Sequence, residues 1–204
     1  MAIHYTVRAD VIDITVDAPK TEDAFLVDTN VWYWMTYPNA TPHTPNQRSD
    51  YPGYLNSALD VSAKIFHSGL TLAELAHIIE KTEREVYARC IGSNTEPKEY
   101  RHNLSGQRKH VVSEVKAAWA QVSNLAGLLK ITIDTTTTTS ALNSFQTEKL
   151  DGYDLFILES MKSHGIVQVI TDDGDFATVP GIQVFTANRN VIQAAKVQRK
   201  LVTR

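Results

Sequence analysis

The chain has 204 residues, of which 43% are hydrophobic and 21% are charged, and its formal net charge is −3. This length and composition predict one globular domain over residues 1–204 and exclude a disordered chain, while a lone cysteine excludes a disulfide framework and favours a reducing cytoplasm. The apolar stretches are too short to cross a membrane and the chain opens without a signal-peptide pattern, so we expect no membrane partner.

An alternation of apolar and polar residues begins at Ile3 and changes phase after Val11. This pattern predicts a strand with a bulge, or a hairpin of two short strands, in an N-terminal extension over residues 1–20. The main α/β core is expected to follow at residues 24–187.

The segment Phe25-Leu26-Val27-Asp28 runs from apolar residues straight into an aspartate. It predicts a strand that is buried on both faces and ends at Asp28, and open α/β sheets place their ligand sites at such strand ends. A buried carboxylate there requires a cation or hydrogen-bond donors. The simpler interpretation, which this segment alone favours, is that Asp28 caps the following helix while Thr29 and Asn30 close the turn.

Four prolines mark residues 38–52 as a loop. The loop also carries basic side chains and Tyr51, and Tyr54 lies just after it. We interpret it as an ordinary surface loop. The alternative is that its aromatic and basic side chains stack on a nucleic-acid strand and neutralise its charge. Apolar residues over 55–66 then predict a helix that ends near Gly69.

A further helix is predicted from Leu70 to about Cys90. Thr71 and Glu74 have the spacing of a capping box at its start, which makes a cap the stronger interpretation of Glu74 when spacing alone is considered. Residues 92–110 are rich in basic residues and predict a loop that contacts phosphates. The side chains assigned to that contact are Arg101, Arg108 and Lys109.

Apolar residues at helical spacing over 111–129 predict a core helix. A short strand at 131–133 follows. The five threonines 135–139 are assigned to a connector, and Ser140 is expected to cap the next helix.

The last third has a βαβ pattern. Asp154 opens a helix that stops at Gly165, and the next strand, 166–170, runs into Thr171-Asp172-Asp173. A strand at 182–185 comes last.

Residues 188–204 predict a basic terminal helix, since they hold five basic residues and no acid. Acids instead dominate residues 151–175. An acidic centre with a basic periphery is typical of metal-dependent enzymes that act on phosphates, and it is also compatible with ordinary surface charge.

Four acids are expected to meet at one edge of the sheet, because parallel strand ends and the N-termini of the following helices converge there. They are Asp28, Glu74, Asp154 and Asp173. Clustered carboxylates raise one another's pKa unless divalent cations neutralise them, and Mg²⁺ binds a few carboxylates together with water and phosphate oxygens. Such a site activates water for attack at phosphorus.

Four segments resemble the PIN-domain ribonuclease family, which includes the VapC-type toxins of toxin–antitoxin pairs. They are FLVDTNVW at 25–32, LTLAELAH at 70–77, DLFILESMKSHGIVQVITDDGDF at 154–176 and VPGIQVF at 179–185. The resemblance implies a three-layer α/β/α sandwich with a mainly parallel central sheet. It also implies dependence on Mg²⁺ or Mn²⁺ and hydrolytic cleavage of RNA by an endoribonuclease.

The resemblance also implies roles for individual residues. The catalytic, metal-binding acids are Asp28, Glu74, Asp154 and Asp173, with Asp175 as an auxiliary metal ligand and Asp172 as a weaker match. The residues that orient the acids and a metal-bound water are Thr29, Asn30 and Thr171. Independently of the resemblance, the basic charge of residues 92–110 and 188–204 assigns contacts to the RNA backbone to Arg101, Arg108, Lys109 and Arg189.

Two other classes of function compete with this hypothesis. A PIN-like RNA-binding or scaffold module without cleavage activity predicts a degraded acid set, whereas all four acids are present. A haloacid-dehalogenase-like phosphatase would have an aspartate at position 30, and a receiver-like domain would have its acid pair early in the chain. An antitoxin partner and a homodimer are implied by the resemblance only. The chain departs from the compact toxins at residues 1–20 and 92–110.

Overall fold

In the computed structural model, which describes residues 4–204, six strands form one sheet. They are β1 (Asp10–Asp13), β2 (Ala24–Val27), β3 (Lys64–Ser68), β4 (Gly127–Leu129), β5 (Gln168–Ile170) and β6 (Gln183–Thr186). Their order is β1-β6-β5-β2-β3-β4, and every neighbouring pair is parallel. Helices cover both faces of the sheet, so the predicted three-layer α/β/α sandwich is confirmed.

Eight α-helices and one short 3₁₀ helix are found within residues 4–204. They are α1 (Thr29–Thr36), α2 (Gln47–Asp60), α3 (Thr71–Ile91), α4 (Pro97–Asn103), α5 (Ser105–Leu125), α6 (Thr135–Thr147), α7 (Gly152–His164), the 3₁₀ helix Asp175–Thr178 and α8 (Arg189–Val197). None of the helices in this part of the chain is both long and apolar enough to span a bilayer.

The apolar core is divided by the sheet into two clusters. One cluster contains buried side chains of α1, α2, α3 and α5, and the other contains those of α7 and α8. Strand β1 contributes to both, because Ile12 belongs to the first cluster and Val11 to the second. The change of phase after Val11 therefore reflects burial on both faces of β1. Within the described residues 4–20, neither the predicted bulged strand nor the hairpin forms, because the strand is limited to Asp10–Asp13 and residues 4–9 are irregular. Ile3 lies outside the described residues.

Strands β2 and β5 lie side by side at the point where the strand order reverses. From β2 the chain moves outward through β3 and β4, and α6 and α7 then return it to β5 on the other side of β2. The N–H of Asp28 donates to the carbonyl of Ile170 over 3.0 Å, which joins the carboxyl ends of the two strands. Open α/β sheets bind their ligands at such a reversal.

Residues 38–69 differ from the prediction. Helix α2 contains Pro52 in its second turn, and Tyr51 and Tyr54 are 0% and 5% exposed. Both rings belong to the core, so the stacking alternative is wrong. The helix ends before Ser62, which has a left-handed φ of 60°. Strand β3 follows where a continued helix was expected.

The predicted basic loop at 92–110 is wrong, since most of it is helical. Helix α4 begins at Pro97, a residue favoured in the first helical position because its fixed φ suits the helix and its missing N–H would be unpaired there anyway. Helix α5 begins only two residues after α4 ends. A short stretch between Gly92 and Pro97 and the single residue Leu104 remain irregular.

The threonine run also differs from the prediction. Residues 135–139 begin α6, whose N-terminus is capped by the Asp134 carboxylate accepting from the N–H of Thr137 over 2.9 Å. Ser140 lies inside this helix rather than at its start. The preceding strand is β4, and residues 131–133 are irregular.

The terminal helix is shorter than predicted, since α8 ends at Val197 within the expected range 188–204. The chain then returns to β1, where Leu201 forms an isolated parallel bridge with Val11. This return brings the last residues of the sequence alongside the N-terminal strand.

Candidate metal centre

Each of the four predicted acids lies where a strand ends or a helix begins. Asp28 follows β2 and occupies the N-cap of α1, while Asp173 follows β5. Glu74 and Asp154 lie in the first turns of α3 and α7. The structure therefore brings all four carboxylates to the carboxyl edge of the sheet, beside the reversal between β2 and β5.

Asp28 is the most buried of these acids, with 5% of its surface exposed. Its Oδ1 accepts from the N–H of Thr29 over 2.6 Å, and its Oδ2 accepts from the Thr171 hydroxyl over 2.5 Å. The Thr171 oxygen in turn accepts from the N–H of Asp173 over 2.9 Å. Asp28 is thus a helix cap and also part of a hydrogen-bonded link between two strand ends.

Glu74 is linked to the same network through Thr29, whose hydroxyl donates to Glu74 Oε2 over 2.6 Å. The predicted capping box is wrong. Leu70 is the N-cap of α3 and offers no side-chain cap, while the Thr71 hydroxyl accepts from the N–H of Ser68 over 3.2 Å. Glu74 is therefore directed to the sheet edge instead of to its own helix end.

Asp173 and Asp175 lie in a tight turn before the 3₁₀ helix. The N–H of Asp175 donates to Asp173 Oδ1 over 2.8 Å. Burial raises the pKa of Asp175, and the negative charges of Asp173 and Asp151 raise it further. The predicted auxiliary acid therefore lies beside the four-acid cluster.

Burial and mutual repulsion raise the pKa of the clustered carboxyls. Burial, together with the charges of Glu74 and Asp173, raises the pKa of Asp28 to about 7. Burial, followed by the charges of Asp28, Asp173 and Glu74, raises the pKa of Asp154 to about 9. Burial is also the largest cause of the raised pKa of Glu74. Asp28 and Asp154 therefore retain protons at pH values where ordinary carboxyls, which ionise near pH 4, have already lost them.

The raised pKa of Asp154 predicts a pH-dependent stability. A carboxyl whose pKa is higher in the folded chain than in the unfolded chain binds extra protons when folded, so stability falls as pH rises through that interval. With EDTA present, we expect the Asp154→Asn variant to have a higher melting temperature than the wild type. The difference should grow by at least a few degrees between pH 5 and pH 9. Thermal unfolding across this range measures it, and a constant difference contradicts the assignment.

Carboxylate oxygens are suitable ligands for a divalent cation, although in this structure the carboxylates are not arranged around a single point. Among residues 4–204, no three histidine, cysteine, aspartate or glutamate side chains stand in an arrangement that could hold a metal ion. Several carboxylate oxygens accept from hydroxyl or main-chain donors, as described above for Asp28, Glu74 and Asp173. The acids still lie close enough to raise one another's pKa, and hard carboxylate oxygens are the ligands that Mg²⁺ and Mn²⁺ prefer.

Asn30 adds a second observation to this fit. Its Oδ1 atom is buried and has no hydrogen-bond partner among the described residues. A buried acceptor without a donor is costly, and a bound water molecule would satisfy it. The position of Asn30, two residues after Asp28, agrees with the orienting role that the sequence assigns to it, which stays a prediction.

Asp172 has a different environment from Asp173. Its Oδ1 accepts from the Tyr51 hydroxyl and its Oδ2 from Gln47 Nε2, both over 2.6 Å, while its carbonyl accepts from Asn188 Nδ2 over 2.8 Å. Its two carboxylate oxygens are therefore bound to α2. This arrangement agrees with the weaker match of Asp172 to the metal-binding positions of the family.

Replacing Asp172 or Asp173 by alanine, one at a time, is expected to separate an effect on stability from an effect on metal binding. Asp172→Ala removes the nearest and only charged acceptor of the buried Tyr51 hydroxyl, which keeps contacts to the Thr171 carbonyl at 3.3 Å and the Thr186 hydroxyl at 3.0 Å. The loss should cost about 1–3 kcal/mol of unfolding free energy and leave the stabilisation by Mn²⁺ in place. Asp173→Ala should remove that stabilisation. Urea unfolding with and without Mn²⁺ distinguishes the two. Loss of the Mn²⁺ effect in the Asp172 variant alone contradicts the assignment.

Sequence reasoning missed Asp151 as a member of the acidic cluster. It is the exposed N-cap of α7, and its negative charge contributes to the raised pKa of Glu74, Asp154 and Asp175. Its position three residues before Asp154 at a helix start was the signal that would have identified it.

Three of the four predicted RNA-binding residues, Arg101, Arg108 and Arg189, line two clefts. Arg101 and Arg108 line a cleft of about 400 Å³ together with His77, one turn along α3 from Glu74. Both arginines pair with the buried Glu80, at 2.6 and 3.0 Å.

The second cleft, of about 500 Å³, lies at the start of α8. It is lined by Arg189, His43 and Asp172. Lys109 is exposed on α5. The RNA contacts assigned to these basic residues stay predictions.

Comparison with known proteins agrees with this geometry. A protein-family model described as "PIN domain" matches residues 25–182, which contain the four acids. Comparison with curated proteins finds no match.

Proposed function

This chain belongs to the PIN domain family, and we propose on that basis that it is a metal-dependent endoribonuclease. The family gives the chain a nuclease-type fold. The observation that supports activity is the convergence of Asp28, Glu74, Asp154 and Asp173 at the reversal of the strand order, where burial and mutual charge raise the pKa of three of these carboxyls.

The four acids, with Asp175 as an auxiliary ligand, would hold one or two Mg²⁺ or Mn²⁺ ions. When bound, such an ion lowers the pKa of water for attack on a phosphodiester and stabilises the charge that develops on the leaving oxygen. The chain's own contribution is to hold the acids in place. Thr171 joins Asp28 to Asp173, and Thr29 joins Asp28 to Glu74.

The two clefts support an RNA substrate. Arg101 and Arg108 line the cleft that includes Ala73 and His77, near Glu74 on α3, and Arg189 lines the cleft that includes Asp172. Positive charge beside an acidic centre allows a phosphate backbone to approach carboxylates that would otherwise repel it. The partial neutralisation of the two arginines by Glu80 leaves them as hydrogen-bond donors fixed in orientation.

The proposal is tested with purified protein and short single-stranded RNA. We expect cleavage with Mn²⁺ or Mg²⁺ and none with EDTA, and DNA of the same sequence tests the preference for RNA. Cleavage that continues in EDTA overturns the metal mechanism. If Mn²⁺ raises the melting temperature but no RNA is cut, the non-cleaving RNA-binding module becomes the better description.

The toxin role, an antitoxin partner, a homodimer and a cytoplasmic location are finer proposals within this function. They are supported by the family likeness and by the composition of the chain. Co-expression with the product of an adjacent reading frame tests the first two: a toxin should arrest growth when expressed alone and be neutralised by its partner.

A further inference from the structure

The N-terminal segment 4–9 runs beside the acidic turn 172–175 and is tied down at both ends. The N–H of Arg8 donates to the carbonyl of Ala177 over 2.8 Å, just after the turn. The carbonyl of Tyr5 accepts from Gln198 Nε2 over 2.8 Å. These bonds hold the segment between the 3₁₀ helix and the end of α8.

Gly174 is matched to the side chain of Tyr5. Its backbone has φ −73° and ψ −13°, a conformation open to every residue, so the backbone does not require glycine here. Space does. A Cβ atom at position 174 would lie 2.2 Å from a ring carbon of Tyr5 and 2.8 Å from its hydroxyl oxygen. The phenol therefore occupies the volume directly above the Gly174 Cα.

This contact lies between two of the acids. Asp173 and Asp175 flank Gly174, and burial, followed by their negative charges, raises the pKa of the Tyr5 phenol. Carboxylates gathered at one edge repel one another, so a turn that carries two of them tends to move outward unless something covers it. The ring of Tyr5 covers it from outside the matched family segment, which begins at residue 25.

We propose that Tyr5 is a positioning residue for the metal centre, whose ring packs on Gly174 and holds the turn 172–175 so that Asp173 and Asp175 face the other acids. The inference rests on the proposed function. It gives the N-terminal extension a role that its strand β1 alone does not explain: it completes the support of the acidic turn.

The test compares Tyr5→Ala, Gly174→Ala and the double variant. Alanine at 174 displaces the far end of the Tyr5 side chain, so both single variants remove the same contact. We expect each to weaken Mn²⁺ binding about tenfold by titration calorimetry, as loss of groups that orient metal ligands commonly does. The double variant should equal either single variant, and Tyr5→Phe, which keeps the ring, should bind Mn²⁺ within twofold of the wild type.

A kinetic readout separates positioning from general destabilisation. The Mn²⁺ concentration for half-maximal RNA cleavage should rise in the Tyr5→Ala variant while KM for RNA stays unchanged. Phe145→Ala, which removes an exposed ring on α6, should change neither value.

Three outcomes would overturn the proposal. They are additive effects of the two alanine substitutions, wild-type Mn²⁺ affinity in the single variants, and an equal loss in Tyr5→Phe and Tyr5→Ala. In each of these cases the wild type still binds Mn²⁺ and the proposed function stands. A wild type that binds no Mn²⁺ instead overturns the proposed function, and the positioning role with it.

Discussion

Replacing Asp28 with asparagine is expected to lower the rate of RNA cleavage by about a thousandfold. A metal ion at a phosphodiester supplies several kcal/mol of transition-state charge stabilisation, and each 1.4 kcal/mol corresponds to roughly a factor of ten in rate. Asparagine keeps the shape of the side chain and an acceptor for the N–H of Thr29. Single-turnover cleavage at saturating Mn²⁺ measures the loss of the charge with little change in packing.

The same variant has an expected effect on stability that opposes its effect on activity. Asp28 is buried near Glu74 and Asp173, whose charges raise its pKa, so an uncharged side chain relieves repulsion in the metal-free protein. The melting temperature in EDTA should therefore rise, and the stabilisation by Mn²⁺ should disappear. Activity and metal-free stability would move in opposite directions, as expected for a site whose acids are held together for function.

Asp60→Asn is the matched control, since it removes one carboxylate from the exposed end of α2. It should leave cleavage and the Mn²⁺ effect unchanged. If Asp28→Asn retains cleavage within tenfold of the wild type and still responds to Mn²⁺, Asp28 is not a metal ligand.

The position of the acids at one edge of the sheet was predictable because local sequence patterns define the strands and helices that carry them. The apolar run before Asp28 defines a buried strand, and the strand before Thr171 does the same. Glycine at 165 ends α7 in a left-handed conformation, as the sequence indicates. Once the strands are parallel, their carboxyl ends must share an edge, so no long-range information was needed to place the acids near one another.

Other features depend on contacts between distant residues and were missed for that reason. The threonines 135–139 have low helix propensity, yet they form the first turns of α6 behind the Asp134 cap. Pro52 is tolerated within α2, whose Tyr51 is anchored by Asp172. In both cases, capping or tertiary contacts outweigh the intrinsic preference.

The contacts of Glu80 and Tyr5 show the same limitation. Arg101 and Arg108 read as free basic residues in the sequence, but the structure directs both to the buried carboxylate of Glu80. Nothing in the sequence pairs Tyr5 with Gly174, 169 positions away, because that match depends on how β1 joins the sheet.

A buried cation near the end of the sequence stabilises the join between β1 and the rest of the sheet. The Arg204 guanidinium pairs with Asp17 at 2.7 Å and with Asp23 at 2.6 Å. The three side chains are 10%, 5% and 3% exposed. The guanidinium also lies 4.5 Å from the centre of the Phe185 ring. Arginine suits this site because its planar fork can satisfy two carboxylates and stack on an aromatic ring.

Arg204→Ala is expected to lower the free energy of unfolding by about 3–5 kcal/mol, because it leaves two buried carboxylates without their cation. For a chain of this length the melting temperature should fall by roughly 10 °C. Urea unfolding at pH 7 measures the change. Lys200→Ala is the matched control: its pair with Asp10, at 3.4 Å, has side chains that are 38% and 50% exposed, so its loss should cost under about 1 kcal/mol.

The pH dependence of this difference identifies its cause. Burial alone would raise the pKa of Asp23, but hydrogen bonds from Arg204, the Lys20 N–H and Gln168 lower it overall. A carboxyl with a lowered pKa stabilises the folded chain above its unfolded pKa of about 4, and that contribution disappears as the pH falls through its folded pKa. The gap between wild type and Arg204→Ala should therefore be widest near pH 7 and shrink below about pH 4. A gap that is constant with pH would assign the loss to packing against Phe185 instead of to the ion pairs.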